Sequence, residues 1–158
     1  ARKWPNRLEL DIRLERAIAY WNDDAYINHL GEVFVADYVG DRDLPHLYGP
    51  KGTAHRVMEE YQQFNRMLFK SGNVIELLKL NDRGAWEFHN SSGTKIFLGN
   101  ENIRERLQRT VNILYEIENK SLGTPKLIDA RYNNGAAVEW NNKFELAQNS
   151  KLQRDLSL

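Results

Sequence analysis

The sequence contains no cysteine in its 158 residues. Disulfides, thiolate nucleophiles and zinc–thiolate centres are excluded, although the cellular compartment is not identified by that absence. Neither charge is in excess: 22 basic residues balance 22 acidic ones, so net charge gives no drive toward nucleic acid or an anionic membrane. No apolar run approaches the roughly 18 residues that a membrane-spanning helix requires. Prolines number only four, and two of them fall in Gly40 to Gly52 together with three glycines. That stretch reads as a loop.

Chemistry is scarce as well. The four histidines, at 29, 46, 55 and 89, are scattered. His55 and Glu59 stand one helical turn apart, but a lone i, i+4 pair is a solvated helix face far more often than a ligand set. "GPKGT" lacks the spacing and the preceding strand of a phosphate loop. The acidic pairs Asp23–Asp24 and Glu59–Glu60 are adjacent, which sends their side chains in different directions. No serine lies in a nucleophile-elbow pattern. Arg104, Arg106 and Arg109 interleave with Glu101 and Glu105 and read as a salt-linked helix face. No catalytic residue, metal site or cofactor is therefore assigned, and the chain is not expected to be an enzyme.

What is present is a folded domain, with 41% hydrophobic and 11% aromatic residues. Leu8, Leu10, Ile12 and Leu14 alternate with charged residues, the pattern of a half-buried strand. With no partner before it, this strand reads as the last of an upstream domain, and the chain as a piece of something longer. Residues 17–38 hold two or three short strands. Val57, Met58, Tyr61, Phe64, Leu68 and Phe69 then make a helical stripe, with Thr53 before it and Gly72 after. Val74 to Leu80, Ala85 to His89 and Thr94 to Leu98 predict a meander closed by "NDRG" and "NSSG" turns. A second helix starts near Asn100, with the stripe Ile103, Leu107, Val111, Leu114 and Ile117. The class is α+β: a mostly antiparallel sheet against two helices, ending in a hairpin.

That hairpin, "IDARYNNGAAVEW", has two candidate turns. A two-residue Asn134-Gly135 loop mixes charged and apolar residues on both faces. A three-residue loop with a left-handed Gly135 and a bulge pairs Ala130 with Val138 and Ile128 with Trp140. It collects Ile128, Ala130, Tyr132, Ala136, Val138 and Trp140 on one face, and Asp129, opposite Glu139, on the other. A one-residue slip would flip a strand, so the pattern favours the bulged hairpin. Ala136 to Trp140 is then the last strand. Its outer edge is either blunted or covered, as most edges are, or offered to a partner.

In order along the chain, "KWPNRLELDI…ERAIAYWND", "LPHLYGPKGTAHRVMEEY", "RGAWEF" and "IDARYNNGAAVEW" resemble the periplasmic region of the FtsQ/DivIB family of bacterial cell-division proteins. The resemblance runs from about Arg2 to Trp140. It implies the end of a POTRA domain at 1–20, a β domain at 21–140, and a tail at 141–158 that is weakly helical or disordered. It further implies a non-catalytic scaffold at the periplasmic face of the inner membrane, attached through an N-terminal helix that this chain does not contain. Such proteins bind the coiled-coil partners FtsB and FtsL at the division septum and contact other division proteins through the POTRA domain. In the family FtsB adds a strand to the last edge, here Ala136, Ala137, Val138, Glu139 and Trp140. The arginine–tyrosine pair before the turn falls on Arg131 and Tyr132, the turn on Asn134 and Gly135, and a second contacting arginine on Arg83. Asn133-Asn134 replaces a commoner acidic–serine pair, and Glu139 stands where a small residue is frequent. Two other readings remain beside this one: a POTRA-containing outer-membrane assembly module, and a small-ligand or enzymatic domain with a deep polar cleft.

Overall fold

The computed structural model describes residues 15–37, 39 and 43–141. The strand expected at 8–14 and the tail from 142 lie outside the described residues. Short apolar runs give β1 (Ala19–Trp21), β2 (Ala25–Ile27), β3 (Val33–Phe34) and β4 (His46–Tyr48). The first helical stripe gives α1 (Ala54–Leu68), which tightens into a 3-10 turn at Phe69–Ser71. The meander is β5 (Ile75–Leu80), β6 (Trp86–Asn90) and β7 (Lys95–Gly99). The second stripe gives α2 (Ile103–Asn119), and the closing pair is β8 (Pro125–Asp129) and β9 (Ala137–Trp140).

All nine strands join one sheet in the order β3-β2-β1-β4-β5-β6-β7-β8-β9. The β1–β4, β4–β5 and β7–β8 pairings are parallel and the others antiparallel. The α+β class with a mostly antiparallel sheet and two helices is therefore the one the sequence predicts.

Both helices cover the same face of the sheet. Val57, Met58, Phe64 and Leu68 of α1 and Leu107, Val111 and Leu114 of α2 join Ile27, Leu47, Leu78, Phe88, Ile96 and Ile128 in a single buried cluster. Phe64 meets Trp86 edge-on with ring centroids 5.8 Å apart. The opposite face is made of the alternate residues. Strand pairing places Phe34, Tyr26, Tyr20 and His46 side by side there, with ring centroids 4.7 to 5.9 Å apart. Aromatic pairs at such spacings contribute about 0.5–1.5 kcal/mol each beyond their burial.

One element departs from the sequence reading. The Gly40–Gly52 stretch is not loop throughout, because β4 lies inside it, with Leu47 fully buried. Amides of Tyr20 and Asn22 in and after β1 donate to the carbonyls of Pro45 and Leu47 at 2.9 Å. Both neighbours of β4 come from elsewhere in the chain, so local composition carries no trace of the pairing.

The turns of the meander are built by their own residues. Asn81 Oδ1 accepts from the amides of Arg83 and Ala85, each at 2.9 Å. The buried Asn90 accepts through Oδ1 from the Thr94 amide at 2.8 Å and donates through Nδ2 to Asn73 at 2.9 Å. Gly84 and Gly93 follow with φ of 77° and 83°, the left-handed conformation that glycine adopts without steric cost. Among the described residues no helix is long and apolar enough to cross a membrane.

Candidate partner-binding edge

β8 is tied to β7 as far as Ala130, whose amide donates to the Phe97 carbonyl at 2.9 Å. In the closing hairpin Asp129 opposes Ala137, Ile128 opposes Val138 and Leu127 opposes Glu139. A bulge follows between Pro125 and Leu127, which brings Pro125 opposite Trp140. The hairpin is thus bulged, but not at Gly135, and its register sits two residues from the expected one. Residues 130–136 form a longer loop in place of a three-residue turn.

A two-residue offset preserves the alternation of side chains, so most of the expected faces stand. Ile128 and Ala130 are fully buried, and Ala136 and Val138 pack against the core. Asp129 and Glu139 no longer oppose each other; Lys126 Nζ meets Glu139 Oε1 at 2.9 Å. Tyr132 is the corrected residue. It belongs to the loop, is 57% exposed, and does not share the inner face with Val138 and Trp140. Gly135 is absent from the left-handed positions, and a Cβ added to it would meet nothing within 4 Å.

Three carbonyls of the loop converge on Arg109, on α2. Its Nη1 donates to the carbonyls of Tyr132 and Gly135, both at 2.9 Å, and its Nη2 to the carbonyl of Asn133 at 3.0 Å. Glu105, one turn earlier, accepts from Nη2 at 3.2 Å. The expected salt-linked face is correct for this pair alone. Arg106 is buried and donates to the Leu98 carbonyl at 2.8 Å, and Arg104 reaches Glu60 on α1 at 2.8 Å. Helical spacing shows which residues share a turn, but not that a guanidinium meets a distant loop.

Arg131 is held in place from within its own segment. Asp129 accepts from its Nε at 2.8 Å, its Nη2 at 2.6 Å and its backbone amide at 3.1 Å. The guanidinium also lies 5.0 Å from the Phe97 ring centre. The hydrogen bonds from Arg131 hold the Asp129 carboxyl below its usual range, against a smaller opposing effect of burial. Arg131 is correspondingly raised. Any carboxylate approaching Arg131 meets a guanidinium already paired.

Arg83 sits in the β5–β6 turn, at the sheet end that also carries Gly99 and the loop 130–136. β6 and β8 are two interstrand steps apart, about 10 Å, so the topology brings Arg83 toward the same end. Asn134 is exposed at the loop tip.

Among the described residues, no strand pairs with the outer side of β9. Beside it runs a groove of about 310 Å³ between α2 and β9, lined by Ile113, Ile117, Leu122, Val138 and Trp140 and bounded by Arg109 and Lys120. A larger cleft of about 490 Å³ lies elsewhere, between the start of β4 and α1. Burial pushes Tyr61, on its wall, above its ordinary value, away from the range useful for proton transfer near neutrality. His55 and Glu59 are 3.7 Å apart and largely exposed. Among the described residues no group of three or more His, Asp or Glu is placed to hold a metal.

Residues 19–131 match the family model described as "Cell division protein FtsQ/DivIB, C-terminal". The chain belongs to the FtsQ/DivIB family. "Cell division protein FtsQ" of Coxiella burnetii is 34% identical over 142 residues, covering 89% of this chain and 58% of that protein. The Vibrio cholerae protein of the same name is 33% identical over 148 residues, covering 93% and 56%. That of Escherichia coli is 29% identical over 144 residues, covering 88% and 52%. The chain spans a little over half the length of these relatives. The family model ends at Arg131, so most of the loop and β9 lie beyond its match.

Proposed function

We propose that this chain is the partner-binding β domain of a periplasmic division scaffold and that it captures FtsB, with FtsL, by strand addition to β9. The observation that carries this reading is an edge strand unpaired on its outer side over Ala137–Glu139 among the described residues, in a member of a cell-division family. Added strands take affinity from main-chain hydrogen bonds and specificity from the side chains flanking the edge. Tyr132 supplies an exposed amphipathic ring of the kind enriched at interface hot spots. Asn134, Gly135 and Ala136 lead into the edge, and Arg131 and Arg83 are the arginines at its approach. Because Asp129 already engages Arg131, a partner carboxylate shares or displaces that pairing. The role is recruitment to septal cell-wall synthesis at the periplasmic face of the inner membrane, without catalysis. Membrane attachment and the remaining POTRA contacts belong to the rest of the protein.

An isotope-labelled chain titrated with a peptide from the periplasmic segment of FtsB tests this. The expected result is amide shifts at 137–139 and binding abolished by Tyr132→Glu or by Gly135→Leu, with the dispersed spectrum of the fold intact. Undiminished binding by both variants would sink the assignment.

A further inference from the structure

Three successive features of the loop 130–136 point to one side chain. The carbonyls of Tyr132, Asn133 and Gly135 all turn toward the Arg109 guanidinium. Among the described residues, no backbone hydrogen bond closes a turn within 131–136, whereas Gly84 and Gly93 close the meander turns on Asn81 and Asn90 at 3.0 and 2.9 Å. No residue of the loop takes a positive φ. A loop without its own turn device, facing a planar five-donor fork, takes its shape from that fork. The fork is itself fixed, since α2 is the crossover between the parallel strands β7 and β8.

We propose that Arg109 is the positioning residue of the docking edge. It sets the path of 130–136, and with it the register of β9 and the outward presentation of Tyr132, without touching the partner. This rests on the strand-addition reading above. The chemistry requires arginine. Lysine carries the same charge on a single ammonium, which cannot hold three carbonyls in one plane.

The test compares Arg109→Ala and Arg109→Lys with the unaltered chain by amide hydrogen exchange and by binding of the FtsB peptide. Losing charge-assisted hydrogen bonds of this kind corresponds to about tenfold or more in an equilibrium. Both variants are therefore expected to exchange at least about tenfold faster at the β9 amides that pair with β8 and to bind at least about tenfold more weakly, while exchange across β5–β7 is unchanged. Full protection and binding in Arg109→Lys would show that charge alone suffices and would overturn the proposal. So would weakened binding with unchanged β9 exchange, which makes Arg109 a partner contact, or faster exchange spread evenly through the sheet. An unaltered chain that takes no peptide ends the strand-addition reading, and β9 exchange in the variants still decides whether Arg109 sets the loop and the register.

Discussion

The meander β5–β6–β7 and the closing hairpin β8–β9 are both antiparallel and lie side by side in one sheet, yet they turn by opposite means. Each meander turn is closed by an asparagine and a left-handed glycine within its own few residues. The closing loop has neither device and is held by Arg109, more than twenty residues earlier on a helix. The first kind of turn forms wherever its sequence is present. The second forms only once α2 has docked, so the edge strand depends on tertiary structure that its own sequence does not contain.

Substitutions that separate the two kinds of turn give unequal effects. Asn90→Ala has the largest effect on stability: it leaves the buried Thr94 amide without its acceptor and Asn73 Oδ1 with Ser92 as its remaining donor, a loss of about 1–3 kcal/mol. Thermal unfolding should show the midpoint falling by several degrees, with peptide capture by the remaining folded chain unchanged. Gly84→Ala costs about 1–2 kcal/mol through its left-handed backbone, read by the same measurement. Arg109→Ala reverses the pattern, with a smaller change of midpoint than Asn90→Ala and a large loss of amide protection in β9.

The Asp129–Arg131 pairing gives a smaller, pH-dependent effect. Its folded carboxyl is depressed, so its contribution is complete above the ordinary aspartate value of about 4 and is lost as pH falls through the lower folded value. Exchange at 129–131, taken relative to the intrinsic rate at each pH, should rise on acidification through that range, and Asp129→Asn should remove the dependence. Gly135→Leu comes last. Its backbone is not left-handed and its surroundings are open, so stability changes by no more than about 0.5 kcal/mol. A drop comparable to that of Gly84→Ala would restore the bulge at Gly135.

Legibility in the sequence follows the same division. The meander strands begin and end within one residue of their alternation pattern, because propensity, turn chemistry and burial agree over a short range; both helices follow their stripes except at Phe69, which falls in the 3-10 turn and is exposed. In the hairpin, alternation predicts the faces of Ile128, Ala130, Val138 and Trp140 but not the register. Registers two residues apart bury the same side chains, and only the loop distinguishes them. The local turn rules then favour a three-residue Asn133-Asn134-Gly135 turn with Gly135 left-handed, and they fail: Gly135 is not left-handed and the loop's carbonyls turn to Arg109 instead. Tyr132 leaves the inner face for the same reason. β4 is hidden likewise, since its parallel partners are not its neighbours in sequence. Among the predicted site residues, Ala137, Val138 and Glu139 form the edge, Arg131 is paired at home, and Arg83 lies at the same sheet end three strands from that edge.

The single continuous sheet also sets a distance. From β1, the first described strand, to β9 the ladder crosses β4, β5, β6, β7 and β8, six steps that span about 29 Å at the usual interstrand spacing. A strand added at β9 extends that ladder by one more step and makes the incoming chain part of the same lattice. Under the proposed strand addition the domain acts as a ruler of fixed length, holding its partner at a set lateral reach. A pull along the added strand loads its whole row of hydrogen bonds in shear, while a pull across it opens them one at a time.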